Sequence, residues 1–420
     1  MSQTIHEMVE SKASTAKVAM RQLSNTSSDL RNRTLLAMSE NIIRFKDKIR
    51  DANEVDLKAG RDSGLASPLM SRLALDDKKI ERMTDNLRQV AALPDPIGEI
   101  VHMGERPNRL KIGTVRVPIG VIGVIYESRP DVTVEVSALC VKSGNGVILR
   151  GGSEAIHSNT ALANILTETA EKEGVPGAIQ FVDITDRQAV REMISMSDHI
   201  DLIVPRGSQE FIRQIMKTSD IAVVGHADGI CHVYVDEAAD LNMAENICIN
   251  AKIGYKVAVC NAMETLLVHA SVAPKFLPSM CEKFEDEGVV LRGCEETRKL
   301  YPNAKPATEE DWRTEYLDEI LSIRVVPDFD RAVDHIETYG SHHSDAIVTE
   351  SYANSQRFLK EVDSAAVYVN ASTCFTDGYE FGLGAEVGIS TQKLHCRGPM
   401  GLEGLTSYKY VVYGNGQVRT

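Results

Sequence analysis

The sequence predicts an α/β protein built on doubly wound parallel sheets. From about residue 95, short runs of apolar residues alternate with amphipathic helical stretches. The apolar runs are nearly continuous, which is typical of parallel strands covered by helices on both faces. A length of 420 residues is enough for two or three domains, each with its own core.

The first part of the chain, residues 3 to about 92, is predicted to be helical. Its apolar side chains recur three or four positions apart, as they do on one face of a helix. This spacing is clearest at Leu69, Leu73, Leu75, Ile80, Met83, Leu87 and Val90. Pro94 and Pro96 end the helical region, because proline cannot continue a helix.

The alternation of strands and helices predicts two successive α/β blocks. The first has strands at 115–126, 146–150, 179–184, 199–205, 221–225 and 231–236, with helices at 155–173 and 208–217. The second, from about residue 240, has strands near 265–269, 321–326, 345–348 and 366–369. The tail, residues 406–419, alternates like an edge strand or a ribbon.

Composition limits the classes of function. A net charge of −14 argues against a general nucleic-acid binder, which would be basic. No apolar run approaches the roughly 20 residues that cross a membrane, and the polar N-terminus lacks a signal-peptide core. The 8 cysteines form no C-x-x-C pair and the 11 histidines show no ligand spacing, so no metal is expected. Scattered thiols are typical of a cytoplasmic protein.

One candidate binding turn follows the strand at 146–150. Arg150 ends this strand, and Gly151, Gly152 and Ser153 open the next helix. Free backbone N–H groups at a helix start suit an anion, and a nearby arginine commonly holds the 2′-phosphate of NADP. The alternative is a plain turn with a surface arginine.

A second turn repeats this arrangement. Arg206 and Gly207 end a strand, and Ser208 precedes a helix. Two such turns at the carboxyl ends of parallel strands match the place where open α/β sheets bind ligands. No G-x-G-x-x-G fingerprint is present.

Other polar positions carry possible chemistry. Cys260 precedes a helical or buried apolar stretch, but any of the eight thiols is more commonly an inert buried one. Glu127, Ser128 and Arg129 follow a strand and precede a proline, where they either bind substrate or form a salt-bridged turn. The glycine-rich segment 369–390 either approaches a ligand or is a mobile loop. The adjacent histidines 342 and 343 are predicted at the surface.

Five longer phrases, at residues 118–133, 144–159, 260–269, 315–321 and 380–419, resemble the gamma-glutamyl phosphate reductases of the aldehyde dehydrogenase superfamily. The resemblance covers nearly the whole chain in the same order. It implies an aldehyde-dehydrogenase-like fold of two doubly wound α/β domains with a small β ribbon. Residues 1–105 and 119–225 would bind NADPH, 226–390 would be catalytic, and 106–118 with 391–420 would form an oligomerisation ribbon.

The resemblance also implies a reaction. NADPH would reduce L-glutamyl 5-phosphate to L-glutamate 5-semialdehyde, with release of phosphate, in proline biosynthesis. Cys260 matches the nucleophile of the family and would carry a thioester. Ser128 would help to stabilise the oxyanion, and Arg129 and Glu127 would contact the substrate.

Further site residues follow from the same match. Asn370, Ser372 and Thr373 would bind the substrate, in a segment where Cys374 stands in place of the family's usual arginine. Glu315 and Gly225 would contact the cofactor. Gly225 falls near the position where hydrolytic relatives carry a water-activating glutamate.

Some alternatives remain open. His226 is either an acid–base group or a packed or cofactor-contacting residue. The rival functions are a hydrolytic aldehyde dehydrogenase and a non-catalytic partner of the preceding enzyme, glutamate 5-kinase. We expect a homo-oligomer, with glutamate 5-kinase as a further possible contact.

Overall fold

A computed structural model of the chain describes residues 3–226, 228–254 and 257–419. Within this part of the chain, the α-helices α1–α14 are Ile5–Leu23, Ser28–Arg44, Lys46–Asp62, Ser67–Leu73, Asp77–Ala92, Asp131–Lys142, Ile156–Glu173, Gln188–Ser195, Gln209–Thr218, Leu241–Ile249, Ala273–Asp286, Glu295–Leu300, Phe329–Tyr339 and Tyr352–Glu361. The strands β1–β16 are Ile100–Glu105, Lys111–Pro118, Val121–Tyr126, Gly146–Gly151, Ile179–Phe181, Leu202–Arg206, Cys231–Val235, Met263–His269, Val290–Gly293, Lys305–Pro306, Ile320–Val326, Ser344–Val348, Ala366–Val369, Ile389–Ser390, Gly398–Pro399 and Thr406–Tyr413.

The chain divides into two compact units. The first comprises Met1–Gly225, Gly382–Gly388 and Pro399–Thr420, and the second comprises His226–Phe381 and Ile389–Gly398. The division between 225 and 226 coincides with the predicted one, whereas 382–388 lie in the first unit and 391–398 in the second.

The first unit contains a four-stranded parallel sheet in the order β5-β4-β3-β6. Its strands are buried along almost their whole length, which explains their nearly continuous apolar sequence. Helix α1 packs on this sheet through Val9, Ala13 and Ala16, which share a core cluster with Val121 and Ile148. The amino-terminal helices therefore belong to the same folded body as the parallel sheet.

A separate antiparallel sheet in the first unit joins β1, β2 and β16. This sheet is larger than the predicted ribbon of 106–118 and 391–420, because it also includes β1, which pairs with β2. The predicted strand at 115–126 is likewise two strands in different sheets. The chain turns between them at Gly120, whose φ of 147° is a conformation that L side chains rarely adopt.

The second unit contains a seven-stranded parallel sheet in the order β10-β9-β11-β8-β7-β12-β13. Successive side chains of a strand enter opposite cores. Val233 and Val235 join one cluster, while Tyr234 joins the other. Both faces of this sheet are thus covered, as the apolar strands predicted.

The remaining sequence predictions differ from the structure in small ways. The predicted strand at 221–225 is reduced to one bridge between Val223 and Ile203. Of the two alternatives for the stretch after Cys260, the buried apolar one is confirmed, because this stretch is the buried strand β8. No helix in the described ranges is long and apolar enough to span a membrane.

Asp56 on helix α3 links the amino-terminal helices to α7, the helix that follows strand β4 of the parallel sheet. Its buried carboxylate, 2% exposed, accepts hydrogen bonds from the backbone N–H groups of His157 and Ser158 at 3.2 and 2.7 Å. It also accepts one from the Ser158 hydroxyl at 2.6 Å. Asp56 on α3 therefore caps the amino terminus of α7, although it is distant in sequence.

We predict that Asp56→Asn destabilises the protein by about 1–3 kcal/mol, because an amide nitrogen would face N–H donors in a buried place. Chemical denaturation measures the effect. The matched control is Asp51→Asn, an exposed position on the same helix that should change the free energy of unfolding by less than about 0.5 kcal/mol. Equal effects of the two substitutions would contradict the capping role.

Candidate functional site

The carboxyl ends of three neighbouring strands bring the first group of predicted site residues together. Tyr126 at the end of β3 lies beside Gly151 of β4 and Arg206 of β6. The residues that follow these strands therefore share one edge of the sheet. They include Glu127, Ser128, Arg129, Gly152, Ser153, Gly207 and Ser208.

Carboxylates of the chain already accept hydrogen bonds from three helix-start N–H groups at this edge. Asp56 takes those of His157 and Ser158 on α7. Glu127 accepts a hydrogen bond from the N–H of Ser208, the residue before α9, at 2.8 Å. The predicted binding turn at Gly151–Ser153 precedes the N–H groups that Asp56 occupies, whereas in the second turn the N–H of Ser208 itself is bonded. A Cβ on Gly207 would lie 2.4 Å from Glu127 Oε2, so this glycine makes room for the carboxylate.

Ser128 has a strained backbone. It is 4% exposed and has a φ of 46°, in the left-handed region that non-glycine residues seldom adopt. Oε1 of Glu154 accepts hydrogen bonds from its N–H at 2.6 Å and from its hydroxyl at 2.8 Å. Such strain persists only where surrounding contacts hold it, and it concentrates at functional sites.

Arg129 lies in a group of cations. Burial, followed by the nearby guanidinium groups of Arg206 and Arg72, lowers its pKa. Close by, removal from water and the carboxylate of Asp131 raise the pKa of Glu135 to about 7. A bound anion would relieve the repulsion among these cations.

Arg150 is oriented along the sheet edge. It is 7% exposed, and its Nη2 donates to the Thr185 carbonyl at 3.0 Å. Its Nε is buried without a hydrogen-bond partner among the described residues. Gly151 is required for packing, because a Cβ there would lie 2.0 Å from the Asn159 side chain. A Cβ on Gly225 would meet Pro205 at an ordinary contact distance of 3.9 Å, so packing does not require glycine there.

Cys260 lies in a tight turn of the second unit, residues 259–262, which we call the Cys260 turn. The turn is closed by a hydrogen bond from the N–H of Ala262 to the Val259 carbonyl at 3.1 Å. The Asn261 side chain donates to the carbonyls of Cys374 and Thr376 at 3.1 and 3.0 Å. The half-buried thiol of Cys260 is therefore carried by a loop anchored to the segment around Thr376.

Gly229 and Glu315 lie against this turn. A Cβ on Gly229 would lie 2.2 Å from the carbonyl oxygen of Cys260 and 2.7 Å from both its Cα and Glu315 Oε1. Only glycine fits there, and the predicted cofactor residue Glu315 is close to Cys260. Beneath the turn, Cys231 donates its buried thiol to the Cys260 carbonyl at 3.2 Å. Burial holds the pKa of Cys231 well above its usual value, so this second thiol stays protonated.

Two histidines complete the surroundings of Cys260. One ligand atom each from His226, Cys260 and His343 lie within 4.8 Å of one another. The prediction that His343 lies at the surface is wrong, since its exposure is 0%. Its neighbour His342, with a φ of 59°, turns the chain away and bonds the Asp363 carbonyl. Neutral imidazoles at this distance can accept a thiol proton or share a soft cation.

The predicted substrate residues Asn370, Ser372 and Thr373 make contacts with two different parts of the second unit. Thr373 donates its hydroxyl to the Asn261 carbonyl at 2.7 Å, and the Ser372 hydroxyl accepts from the N–H of Cys374 at 3.3 Å. Asn370 instead pairs with the backbone of Thr349 through two bonds of 2.9 Å. Ser372 and Thr373 are therefore joined to the Cys260 turn, while the side chain of Asn370 holds a neighbouring loop.

A buried ion pair supports the turn from behind. Lys252 Nζ donates to Glu264 Oε2 at 2.7 Å, and both side chains are 0% exposed. Burial raises the pKa of Glu264 to about 7 against the opposing effect of the Lys252 ammonium. Glu264 also accepts from the N–H of Leu317 at 3.1 Å, which ties the chain next to Glu315 to strand β8.

The structure shows why the sequence did not indicate His343. Cys260 precedes β8 and His226 precedes β7, while His343 immediately precedes β12. These strands are neighbours in the order β8-β7-β12, so all three residues lie at the amino edge of the sheet. The signal in the sequence was a thiol or imidazole just ahead of each of three apolar strands.

Comparisons with known proteins agree with this architecture. Residues 1–297 match the profile of the aldehyde dehydrogenase family. A gamma-glutamyl phosphate reductase of Thermodesulfovibrio yellowstonii is 52% identical over 416 residues, 99% of each chain. One of Clostridium novyi is 54% identical over 99% of this chain and 100% of its own. The crystal structure of gamma-glutamyl phosphate reductase from Thermotoga maritima superposes with a TM-score of 0.96, at 44% identity, covering 98% of this chain and 100% of that one.

We predict that Glu264→Gln lowers stability by about 3–5 kcal/mol, because it leaves the Lys252 ammonium buried without a counter-charge. The double variant Lys252→Met/Glu264→Gln should recover most of this loss, since glutamine keeps an acceptor for Leu317. Denaturation of the single and double variants gives the coupling energy.

The matched control is Glu245→Gln, which removes one partner of the exposed pair between Glu245 and Lys283. It should cost less than about 1 kcal/mol. A double variant no more stable than Glu264→Gln would show that Lys252 is not the origin of the loss.

Proposed function

Because the chain belongs to the aldehyde dehydrogenase family and, within it, to the gamma-glutamyl phosphate reductases, we propose that it reduces L-glutamyl 5-phosphate to L-glutamate 5-semialdehyde with NADPH and releases phosphate. The chain is thus an oxidoreductase of a family that uses nicotinamide cofactors. The observation that carries the finer proposal is Cys260, half-buried in an anchored turn with two imidazoles close to it.

The proposed reaction has three steps on the protein. The Cys260 thiolate attacks the acyl carbon of the substrate, and phosphate leaves as a thioester forms. Bound NADPH supplies the hydride that reduces this thioester. The resulting hemithioacetal then breaks its carbon–sulfur bond to give the aldehyde and free Cys260. The role of the Cys260 turn is to hold the sulfur in a fixed place, which Asn261 and Gly229 do.

Two residues that follow strand β3 are proposed to serve the substrate. Arg129 suits a phosphate contact, because burial and neighbouring guanidinium groups lower its pKa and an anion would relieve that cost. Ser128 is the proposed hydroxyl donor to the oxyanion. Its hydroxyl now donates to Glu154, so donation to substrate requires the hydroxyl to leave that carboxylate. Removing such a donor typically costs a factor of about 10²–10³ in rate.

Arg150 fits a cofactor phosphate. Its buried Nε has no hydrogen-bond partner among the described residues, and a phosphate oxygen would supply one. The exposed Arg187 lies near enough to lower the pKa of Arg150, after the larger effect of burial. Two guanidinium groups near the end of β4 favour NADPH over NADH.

The thioester is proposed to escape hydrolysis. Gly225 stands near the position where hydrolytic relatives carry a glutamate, and glycine brings no base to activate water. This favours reductase chemistry over a hydrolytic aldehyde dehydrogenase. The retained Cys260 disfavours a non-catalytic partner of glutamate 5-kinase. The departure at Cys374 leaves a thiol that burial keeps protonated, since it raises its pKa.

The setting of the enzyme is also a proposal. All eight cysteines are free thiols, which suits a reducing cytoplasm. The exposed side chains of the antiparallel sheet, such as Tyr408 and Tyr410, suit assembly with further copies of the chain. Contact with glutamate 5-kinase would shield a labile acyl phosphate.

We predict that oxidation of glutamate 5-semialdehyde by NADP⁺, the reverse reaction, requires phosphate and is lost in Cys260→Ser. A serine hydroxyl is a far weaker nucleophile than a thiolate at neutral pH. The matched control Cys294→Ser alters another half-buried thiol and should keep full activity. Phosphate-independent oxidation would instead support the hydrolytic alternative, and activity in Cys260→Ser would exclude the thioester.

We further predict that Arg150→Met raises the KM for NADPH by about 10–100-fold and changes the KM for NADH little. Loss of one charge-assisted bond of about 1.5–3 kcal/mol accounts for this range. Initial rates with both cofactors measure it. The control is Arg191→Met, an exposed arginine on α8. Equal effects on both cofactors would remove Arg150 from the 2′-phosphate site.

A further inference from the structure

We propose that His226, Cys260 and His343 form a binding site for one Zn²⁺ ion, and that zinc bound there reversibly blocks the nucleophile. The ion-binding part stands on geometry alone. The inhibitory part rests on the proposed function, because it requires Cys260 to be the nucleophile.

The donor set is the first observation. Two imidazoles and a thiol offer atoms within 4.8 Å of one another, and the two histidine rings meet edge to face with centroids 4.9 Å apart. Zinc binds imidazole nitrogen at about 2.0–2.1 Å and thiolate sulfur at about 2.3 Å, so its ligand atoms lie about 3.5 Å apart. Movements of the three ligand atoms by about 1 Å, through side-chain rotation, therefore suffice to bring them to zinc-binding distances.

The second observation is a buried nitrogen that lacks a partner. His343 is 0% exposed, and its Nε2 makes no hydrogen bond to the described part of the chain. Its Nδ1 already faces the Ser344 hydroxyl at 2.9 Å and the Cys231 sulfur at 3.7 Å. Nε2 is thus the ring nitrogen left to bind an ion, and a buried polar atom without a partner is uncommon enough to require a reason.

Outer contacts orient both rings as zinc ligands require. His226 donates from Nδ1 to the Ile389 carbonyl at 2.7 Å, which places the lone pair of a neutral ring on Nε2. The Ser344 hydroxyl beside His343 bonds Thr376 at 2.6 Å, and Thr376 bonds Tyr368 at 2.7 Å. Each ring is therefore held from the side opposite the proposed ion.

Three protein ligands leave a fourth position for water, as in open zinc sites. On binding, the S–H bond of Cys260 breaks, its proton goes to solvent and a Zn–S bond forms, with no change of oxidation state. The sulfur lone pair that would attack the substrate is then engaged by the ion. Oxygen-preferring Mg²⁺ should not bind this donor set.

The test uses the full chain and Co²⁺ as a spectroscopic substitute for Zn²⁺. We expect one ion per chain and a thiolate-to-cobalt charge-transfer band that is absent in Cys260→Ser. His343→Gln and His226→Gln should each weaken binding at least about tenfold, measured by calorimetry with Zn²⁺. The control His342→Gln changes the adjacent histidine, which bonds the Asp363 carbonyl, and should leave the affinity unchanged.

The outcomes separate the two proposals. Absence of the charge-transfer band, or equal affinity in His343→Gln and wild type, would overturn the zinc site whatever the enzyme catalyses. The band without reductase activity would leave the site standing and contradict the proposed function. Where both hold, Zn²⁺ should inhibit the wild type and a chelator should restore its activity.

Discussion

The position of Cys260 depends on the side chain of the residue that follows it. The Asn261 side-chain amide donates to two carbonyls, and the Asn261 backbone carbonyl accepts from the Thr373 hydroxyl, so three hydrogen bonds join the Cys260 turn to the segment 372–376. A loop in water would lose this geometry to conformational entropy. Because this loop is fixed, Cys260 keeps its position relative to its neighbours. These neighbours are Gly229, the buried ion pair of Lys252 and Glu264, and the imidazoles of His226 and His343.

Apolar periodicity was enough to predict most of the fold. The strands at 146–150 and 366–369 and the helix at 155–173 agree with the structure within a residue or so at each end. Their periodicity is local, and burial on both faces of a sheet enforces it. The predicted strand at 221–225 was wrong because Ile221 and Val224 are buried in the core while only the bridge between Val223 and Ile203 extends the sheet.

Pairings between distant residues could not be predicted in this way. Nothing near Asp56 in the sequence shows that its carboxylate caps a helix that begins about a hundred residues later. His343 was missed for a related reason. The rule that ligands bind at the carboxyl ends of strands directs attention to Arg150 and Arg206. The imidazoles near Cys260 lie at the amino edge of the other sheet.

The antiparallel sheet of β1, β2 and β16 buries little of its own surface within one chain. Ile100, Val101 and Met103 on β1 and Tyr408, Tyr410 and Tyr413 on β16 are exposed. Burial of apolar area is what stabilises a sheet of this size. If copies of the chain assemble through this sheet as proposed, its stability therefore depends on the protein concentration. Dilution would loosen it while the two parallel sheets, buried in their own cores, kept their protection against hydrogen exchange.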